Sequence, residues 1–204
     1  MKITKKSWKK HKIHENNAKI MKLSQSSGGR HRTTRQNRIP HIQNHLKNLA
    51  STVIFPGKEI EFHHALMLAI RYAKALNVPR VNILAGKQPQ DADLLPCLNT
   101  LASNLKLACH MLTEQSIEPV FEMINGTDMP RFLVQNIAQA QEMLEVVNHP
   151  ALKMQYDCYH MAMMGEEILA GLQENLHQIG HIQFADYPNR HEPDTGNIPY
   201  KQIF

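Results

Sequence analysis

The sequence predicts an α/β fold in which helices cover a parallel sheet. From about residue 51 to the C-terminus, amphipathic helical patterns alternate four times with short apolar strand patterns. Such alternation favours parallel strands joined by right-handed crossovers, either in a doubly wound sheet or in a closed (β/α) barrel. Polar residues follow successive strands, and this favours the barrel, in which catalytic groups lie at the carboxyl ends of the strands.

The helices and strands can be placed in chain order. In the first helix, within residues 56–78, apolar side chains recur at the spacing of three and four that an amphipathic helix requires: Phe62, Leu66, Ala69, Ile70, Ala73 and Leu76. Further helices are predicted at residues 91–116, 129–147 and 164–179. The strands are predicted in "RVNILAG", "IEPVFEMIN", "ALKMQYD" and "GHIQFAD". No GxGxxG or GxxxxGK[ST] motif follows any of them, which argues against a nucleotide-binding fold.

Charge divides the chain into two parts. Residues 1–50 hold 13 Lys and Arg against the single acidic residue Glu15, a net charge of +12, whereas residues 51–204 carry a net charge of −7. The first part has no sustained apolar periodicity, so we expect a basic, disordered or unrelated segment at 1–50 and a partial barrel domain at 51–204. Two alternatives for the segment are a nucleic-acid-binding arm and a mitochondrial transit peptide. A solvated tail without a nucleic-acid partner is the interpretation we favour.

The overall composition is that of a soluble globular protein. No apolar run approaches the roughly 20 residues that a membrane span requires. Cys97, Cys109 and Cys158 are too few and too scattered for a disulfide framework or a CxxC metal site. Reduced thiols and a cytoplasmic location are therefore expected.

Polar side chains at three successive strand ends predict a metal site. Glu122, Asp157 and Gln183 would converge at one end of a parallel barrel, because its strands all point the same way. A single acidic residue in such a place is more often a cap or a solvated loop residue, but three on consecutive strands favour a site. Two carboxylates and an amide oxygen suit Mg²⁺ or Mn²⁺ better than zinc.

Two further residues could act on a substrate at this site. His160 follows Asp157 by three positions and could hydrogen-bond a substrate oxygen or help to move a proton. Arg190 offers a planar positive group that suits a substrate carboxylate. Its ordinary alternative is an exposed ion pair with Asp186 or Glu192, which would contribute little.

Together these residues carry a family resemblance. The stretches "VNILAGKQP", "FEMINGTDMPRF", "LKMQYDCYHMAMMGEE" and "GHIQFADYPNRHEPDTGNIPY" resemble the hydroxypyruvate isomerase family, within the xylose isomerase-like TIM barrels. The resemblance runs from roughly residue 51 to the C-terminus, and "QYDCYHM" and "ADYPNRHEPDTG" are its most specific parts.

The resemblance implies a (β/α)₈ TIM barrel that interconverts hydroxypyruvate and tartronate semialdehyde, or a related 2-oxo acid, with a divalent Mg²⁺ or Mn²⁺. Carried over by motif, Glu122 is a metal ligand or catalytic carboxylate, and Asp157 and Gln183 are metal ligands. His160 and Arg190 contact the substrate, and His160 takes part in proton transfer. The loop from Asp186 to Glu192 is expected to close over the substrate.

Parts of the family pattern have no counterpart in the sequence. Family members begin with three further β/α units where this chain has its basic segment, and the eighth strand, with a second catalytic Glu, would follow "NIPYKQIF". About four of eight units are recognisable, so we expect a barrel truncated at both ends. Its unpaired sheet edges would favour homo-oligomers. The alternatives are an inactive truncated remnant of the family and a nucleic-acid-binding protein that uses the basic arm.

Overall fold

The computed structural model describes residues 52–204, and the basic segment predicted at 1–50 lies outside them. Within the described residues, helices and strands alternate as predicted. The elements are α1 (Glu59–Leu76), β1 (Arg80–Asn82), α2 (Leu94–Thr113), β2 (Glu118–Glu122), α3 (Ile137–Val147), β3 (Lys153–Asp157), α4 (Cys158–Met163), α5 (Ile168–Asn175), β4 (Ile179–Gln183) and α6 (Tyr200–Ile203).

The four strands form one parallel sheet in chain order, β1-β2-β3-β4. Each strand is therefore joined to the next by a crossover that contains at least one helix, as in a (β/α) barrel. The prediction of a parallel sheet with four recognisable β/α units is confirmed. Since all four strands run the same way, their carboxyl ends lie along one edge, and that edge carries the candidate site.

The core lies between the sheet and the helices. Val120 and Phe121 of β2 and Met154 and Tyr156 of β3 are fully buried. The helices contribute the apolar faces that their spacing predicts: Phe62, Leu66, Ala69, Ile70 and Ala73 of α1 are all buried. Leu76 was expected on the same face but is 44% exposed, because α1 ends there and Asn77 turns the chain in the left-handed conformation.

The third predicted helix is shorter than expected. Helix α3 begins at Ile137, where the Asn136 side chain accepts a hydrogen bond from the backbone N–H of Gln139, and the predicted start at residue 129 was wrong. Residues 132–134 are apolar and buried, but their backbone bonds to other segments. The Leu133 N–H donates to the Gly86 carbonyl, and the Ile124 N–H donates to the Val134 carbonyl. These bonds hold the loop after β2 against the carboxyl ends of β1 and β2.

No helix among the described residues is long and apolar enough to cross a membrane.

Candidate active site at the carboxyl edge of the sheet

The strand-end residues line one cavity. Glu122 is the last residue of β2, Asp157 of β3 and Gln183 of β4. Asp157 and Gln183 are paired in the register of β3 and β4, so the two side chains leave the sheet at the same level. The cavity has a volume of about 550 Å³ and is lined by Glu122, Ile124, Asp128, Met129, His160, Gln183 and Arg190. Four of the five predicted site residues line it, and the fifth, Asp157, lies beside it within reach of Glu122 and His160.

Two buried carboxylates and an imidazole form the centre of the site. One ligand atom from each of Glu122, Asp157 and His160 lies within 4.8 Å of the others. Burial, with the nearby charge of Asp157, raises the pKa of Glu122 to about 7. Burial and the charge of Asp157 both disfavour a negative charge on Glu122. A proton or a cation bound to Glu122 would remove this unfavourable energy.

Amide side chains hold Glu122 in place. The Asn82 Nδ2 donates to Glu122 Oε2 at 2.6 Å, and the Gln155 Nε2 donates to the same oxygen at 2.7 Å. Glu122 Oε1 accepts no hydrogen bond from the described residues, and it is the oxygen left for a proton or a cation. Gln155 Nε2 also donates to Gln183 Oε1 at 3.0 Å, so one buried amide orients both neighbouring side chains.

The positioning amides were not predicted as site residues. Asn82 and Gln155 each stand between two apolar residues of a strand pattern, and this was the signal that could have identified them. In β2 and β3, Gln155 is the register partner of Glu122, which explains why their side chains meet.

Asp157 combines two roles because it stands where a strand becomes a helix. Its Oδ1 accepts from the backbone N–H groups of Tyr159 at 2.9 Å and His160 at 3.4 Å and so caps helix α4. Its Oδ2 lies 3.9 Å from His160 Nε2 and 3.7 Å from Arg190 Nη2. Helix α4 brings His160 back over the sheet edge, where burial lowers the pKa of its ring although Asp157 acts in the opposite direction.

Arg190 is brought to the site by the loop that follows β4. Its guanidinium carbon lies 4.9 Å from the centre of the Tyr159 ring, and its Nη1 lies 3.9 Å from Asp128 Oδ2. Nη2 lies 3.2 Å from His160 Nε2. The acidic neighbours of Arg190 are therefore Asp128 and Asp157, and the alternative of an ion pair with Asp186 or Glu192 was wrong.

Asp186 organises this loop from inside. It is buried, and its Oδ1 accepts from the backbone N–H groups of Tyr187 at 2.9 Å and Ile198 at 3.0 Å. Burial raises the pKa of Asp186, but backbone hydrogen bonds from Ile198, Gly196, Tyr187 and Asp194 outweigh it and leave the pKa below its usual value. A Cβ on Gly196 would overlap the Tyr187 carbonyl oxygen, so this approach requires glycine. Asp186 thus supports the loop and does not face the cavity.

The donor set fits a divalent cation. Glu122 and Asp157 each have an oxygen that faces the cluster, and Gln183 contributes an amide oxygen beside them. Two carboxylates that are buried together, one of them with a raised pKa, are the environment in which a cation is most favourable. Asp157, Glu122, His160 and Gln183 are the side chains that could hold it.

A parallel sheet in chain order, with carboxylates, amides and an arginine at its carboxyl edge, defines this chain as part of a (β/α) barrel of the enzyme type. The comparison with protein families identifies which family of (β/α) barrels this is. The chain belongs to the xylose isomerase-like TIM barrel family, whose model matches residues 29–204.

Its relatives include named isomerases. The chain is 40% identical over 149 residues to hydroxypyruvate isomerase of Escherichia coli (strain K12), covering 73% of this chain and 58% of the relative. It is 34% identical over 149 residues to 2-oxo-tetronate isomerase of Cupriavidus necator, covering 73% of this chain and 57% of the relative. The chain thus spans less than three fifths of the length of these relatives.

Solved structures have the same fold. A family 2 AP endonuclease from Brucella melitensis superposes with a TM-score of 0.72 and 27% identity, over 76% of this chain and 59% of that one. The IOLI protein, solved with a bound zinc atom, superposes with a TM-score of 0.62 at 19% identity, over 76% of this chain and 58% of that one. At 19% identity, the similarity to the IOLI protein shows a shared fold alone.

Proposed function

We propose that this chain carries the site of an intramolecular oxidoreductase that interconverts hydroxypyruvate and tartronate semialdehyde, or a closely related 2-oxo acid. The observation that carries the proposal is the buried cluster of Glu122, Asp157 and His160, whose ligand atoms lie within 4.8 Å of one another beside Arg190. The isomerase names of relatives at 34–40% identity support it.

The reaction moves one hydrogen between adjacent carbons. In hydroxypyruvate a proton leaves C3 and a proton is delivered to C2, while the hydroxyl proton passes from the oxygen on C3 to the oxygen on C2. A carboxylate whose pKa lies near neutral pH can accept the first proton and return it, and burial gives Glu122 that property. Glu122 is therefore the acid–base group that we propose.

Arg190 and His160 would bind the substrate. The Arg190 side chain is half exposed at the mouth of the cavity and presents its guanidinium to a substrate carboxylate. His160 would donate to a substrate oxygen and so help to orient the reacting carbons. Ile124 and Met129 give the cavity an apolar wall.

We propose Mg²⁺ or Mn²⁺ as the cofactor, held by the oxygen donors Asp157 and Gln183. Glu122 is the third candidate ligand, and it acts either as a ligand or as the acid–base group, because its one free oxygen takes a cation or a proton. A bound divalent cation would supply positive charge next to the oxygen atoms that become negative when the C3 proton leaves. The amide of Gln155 would keep Glu122 and Gln183 in the orientation that such a cation requires. We also propose a cytoplasmic location, since Cys97, Cys109 and Cys158 are all free thiols.

The test is isomerase activity of the full chain on hydroxypyruvate and on 2-oxo-tetronate, with added Mg²⁺ or Mn²⁺ and with a chelator. The Glu122→Gln variant should lose turnover by about 10²-fold or more, the range for a positioned acid–base group. Glu145→Gln, which changes an exposed glutamate of α3, is the matched control and should keep full activity. Folded protein that shows no metal-dependent turnover on either substrate would refute the proposed reaction.

A further inference from the structure

The two ring nitrogens of His160 have different neighbours. Nδ1 lies 2.7 Å from Nδ2 of Asn125, which is fully buried and does not line the cavity. Nε2 lies 3.2 Å from Arg190 Nη2 and 3.9 Å from Asp157 Oδ2. Arg190 can only donate, and a neutral ring has a single acceptor nitrogen, so the two contacts compete for it. The contact with Asn125 is the shorter one, and the state of His160 depends on whether Asn125 presents a donor or an acceptor to Nδ1.

The backbone settles the orientation of the Asn125 amide. Its Oδ1 accepts from the backbone N–H of Thr127 at 3.0 Å and from that of Asp128 at 2.7 Å. Its Nδ2 also donates to Asp128 Oδ2 at 3.1 Å. A flipped amide would point its NH₂ group at two N–H donors and its oxygen at a carboxylate, at a site that is fully buried. The group that faces His160 is consequently the NH₂ donor.

We propose that Asn125 is a positioning residue that holds the neutral His160 ring in the tautomer with its proton on Nε2. Because Nδ1 accepts from the amide, it has no proton and no free lone pair, and the single ring proton lies on the nitrogen that faces the cavity. This inference deepens the proposed function, on which it depends for the identity of the substrate.

The tautomer separates two roles that the cluster leaves open for His160. A metal ligand needs an unprotonated nitrogen, and in this tautomer Nδ1 is engaged and Nε2 is protonated. His160 is then a hydrogen-bond donor and not a ligand, and the third oxygen donor for a cation comes from Gln183. Nε2–H and Arg190 Nη2 face the same part of the cavity, and the group that two such donors can share is an oxygen of the substrate.

The first experiment measures the tautomer directly. Long-range ¹H–¹⁵N spectra of the full chain, labelled with ¹⁵N-histidine and recorded above the pKa of His160, report which ring nitrogen carries the proton. The His160→Gln variant identifies the His160 signals among those of the other histidines. We expect an unprotonated Nδ1 and a protonated Nε2, both before and after addition of Mg²⁺. A protonated Nδ1, or loss of the Nε2 proton when Mg²⁺ is added, would overturn the proposal.

The second experiment reverses the donor. Asn125→Asp keeps an oxygen for the two backbone N–H groups but replaces the NH₂ by an acceptor, so the proton of His160 should move to Nδ1 or the ring should become charged. Asn136→Asp, the same chemical change at the cap of α3, is the control and should leave the His160 signals unchanged, since Asp caps a helix as well as Asn does. A ring that keeps the wild-type tautomer in Asn125→Asp would refute the role of Asn125.

Kinetics relate the tautomer to the reaction. In Asn125→Asp we expect kcat to fall at least tenfold while KM changes less, because the donor acts on an oxygen whose charge grows during the reaction. A tenfold rise in KM with an unchanged kcat would contradict this. The two proposals fail separately: an Nε2–H tautomer in a chain without isomerase activity refutes the reaction, and an Nδ1–H tautomer in an active chain refutes the inference.

Discussion

At the scale of single residues, Glu122 decides how this site responds to pH. Its pKa in the folded, metal-free chain is about 7, above the ordinary value of 4.5, because the carboxyl is buried and faces Asp157. The native state therefore keeps a proton that the unfolded state loses between about pH 4.5 and pH 7. This contribution to the free energy of unfolding is complete below pH 4.5 and is lost as the pH rises through 7.

Urea unfolding of the chelated protein at a series of pH values from about 4.5 to above 7 tests this sign. We expect Glu122→Gln to gain stability relative to the wild type as the pH rises, since a neutral amide does not ionise. Added Mg²⁺ or Mn²⁺ should have the opposite effect on the wild type, because cation and proton compete for the same oxygen. If the wild type and Glu122→Gln respond identically to pH, the carboxyl is not buried as described. Glu145→Gln serves as the control for a lost surface charge.

Gln155 is predicted to matter for metal binding although it is not proposed as a ligand. Its single NH₂ group orients Glu122 and Gln183 together. Gln155→Leu keeps much of the volume and removes both hydrogen bonds, so we expect affinity for Mn²⁺ to fall by about 10–100-fold, as for other residues that support ligands. Calorimetric titration of the full chain measures this. As the control, the surface change Gln173→Leu on α5 should not alter the affinity for Mn²⁺. An unchanged affinity in Gln155→Leu would show that Gln155 does not support the metal ligands.

Sequence reasoning reached the strand-end residues and missed those that depend on register. Glu122, Asp157 and Gln183 could be named because each lies toward the carboxyl end of a predicted strand, and parallel strands bring such ends together. The contact between Gln155 and Glu122 requires knowing which residue of β3 lies opposite β2, and an irregularity between Met154 and Gln155 shifts the neighbouring register. The orientation of the Asn125 amide depends on the loop that folds over β2, for which the sequence offers no periodic signal.

At the scale of elements, helices were predicted better than the segments between them. Helix α2 has the apolar spacing that the sequence shows, with Leu101, Leu105 and Leu112 fully buried. Helix α4 was not predicted, because its six residues are too short for a period and its start depends on the cap by Asp157. The same limit explains the misplaced start of α3, where buried apolar residues form a loop that bonds to the ends of two strands.

The packing of α5 on the sheet gives an element-scale prediction. A Cβ on Gly171 would lie 2.6 Å from Tyr156 Oη and 3.0 Å from Ile137 Cδ1. Alanine would favour the helix by about 1 kcal/mol, whereas overpacking a rigid, fully buried ring costs about 1–3 kcal/mol. We therefore expect Gly171→Ala to lower the free energy of unfolding.

Tyr156→Phe is the matched second change. Its hydroxyl is buried without a hydrogen-bond partner among the described residues, so removing it should cost little. In the double variant the oxygen that clashes is gone, and most of the loss caused by Gly171→Ala should be recovered. Urea unfolding of the two single variants and the double variant forms a double-mutant cycle. Additive effects would show that the helix does not approach Tyr156 as closely as described.

At the scale of the whole molecule, two features favour association between copies of this chain: the edges of the sheet and the distribution of charge. In the described part of the chain, β1 and β4 each have one hydrogen-bonded neighbour, whereas β2 and β3 have two. Strand edges of this kind pair readily with further strands. The chain also joins a segment of net charge +12 to a remainder of net charge −7, so opposite charges on two copies can attract.

We expect copies of this chain to associate as its concentration rises, and salt tells the two causes apart. Association through opposite charges weakens as salt shortens the range of the attraction, whereas association through paired strand edges persists. Sedimentation at several concentrations measures the mass of the assembly, and hydrogen exchange identifies the strands that form the contact between copies. If strand edges pair, amides of β1 and β4 should exchange more slowly at high concentration, while those of β2 and β3, already paired on both sides, should not change. The mass of a single chain at every concentration, with exchange at β1 and β4 unaffected, would contradict the prediction.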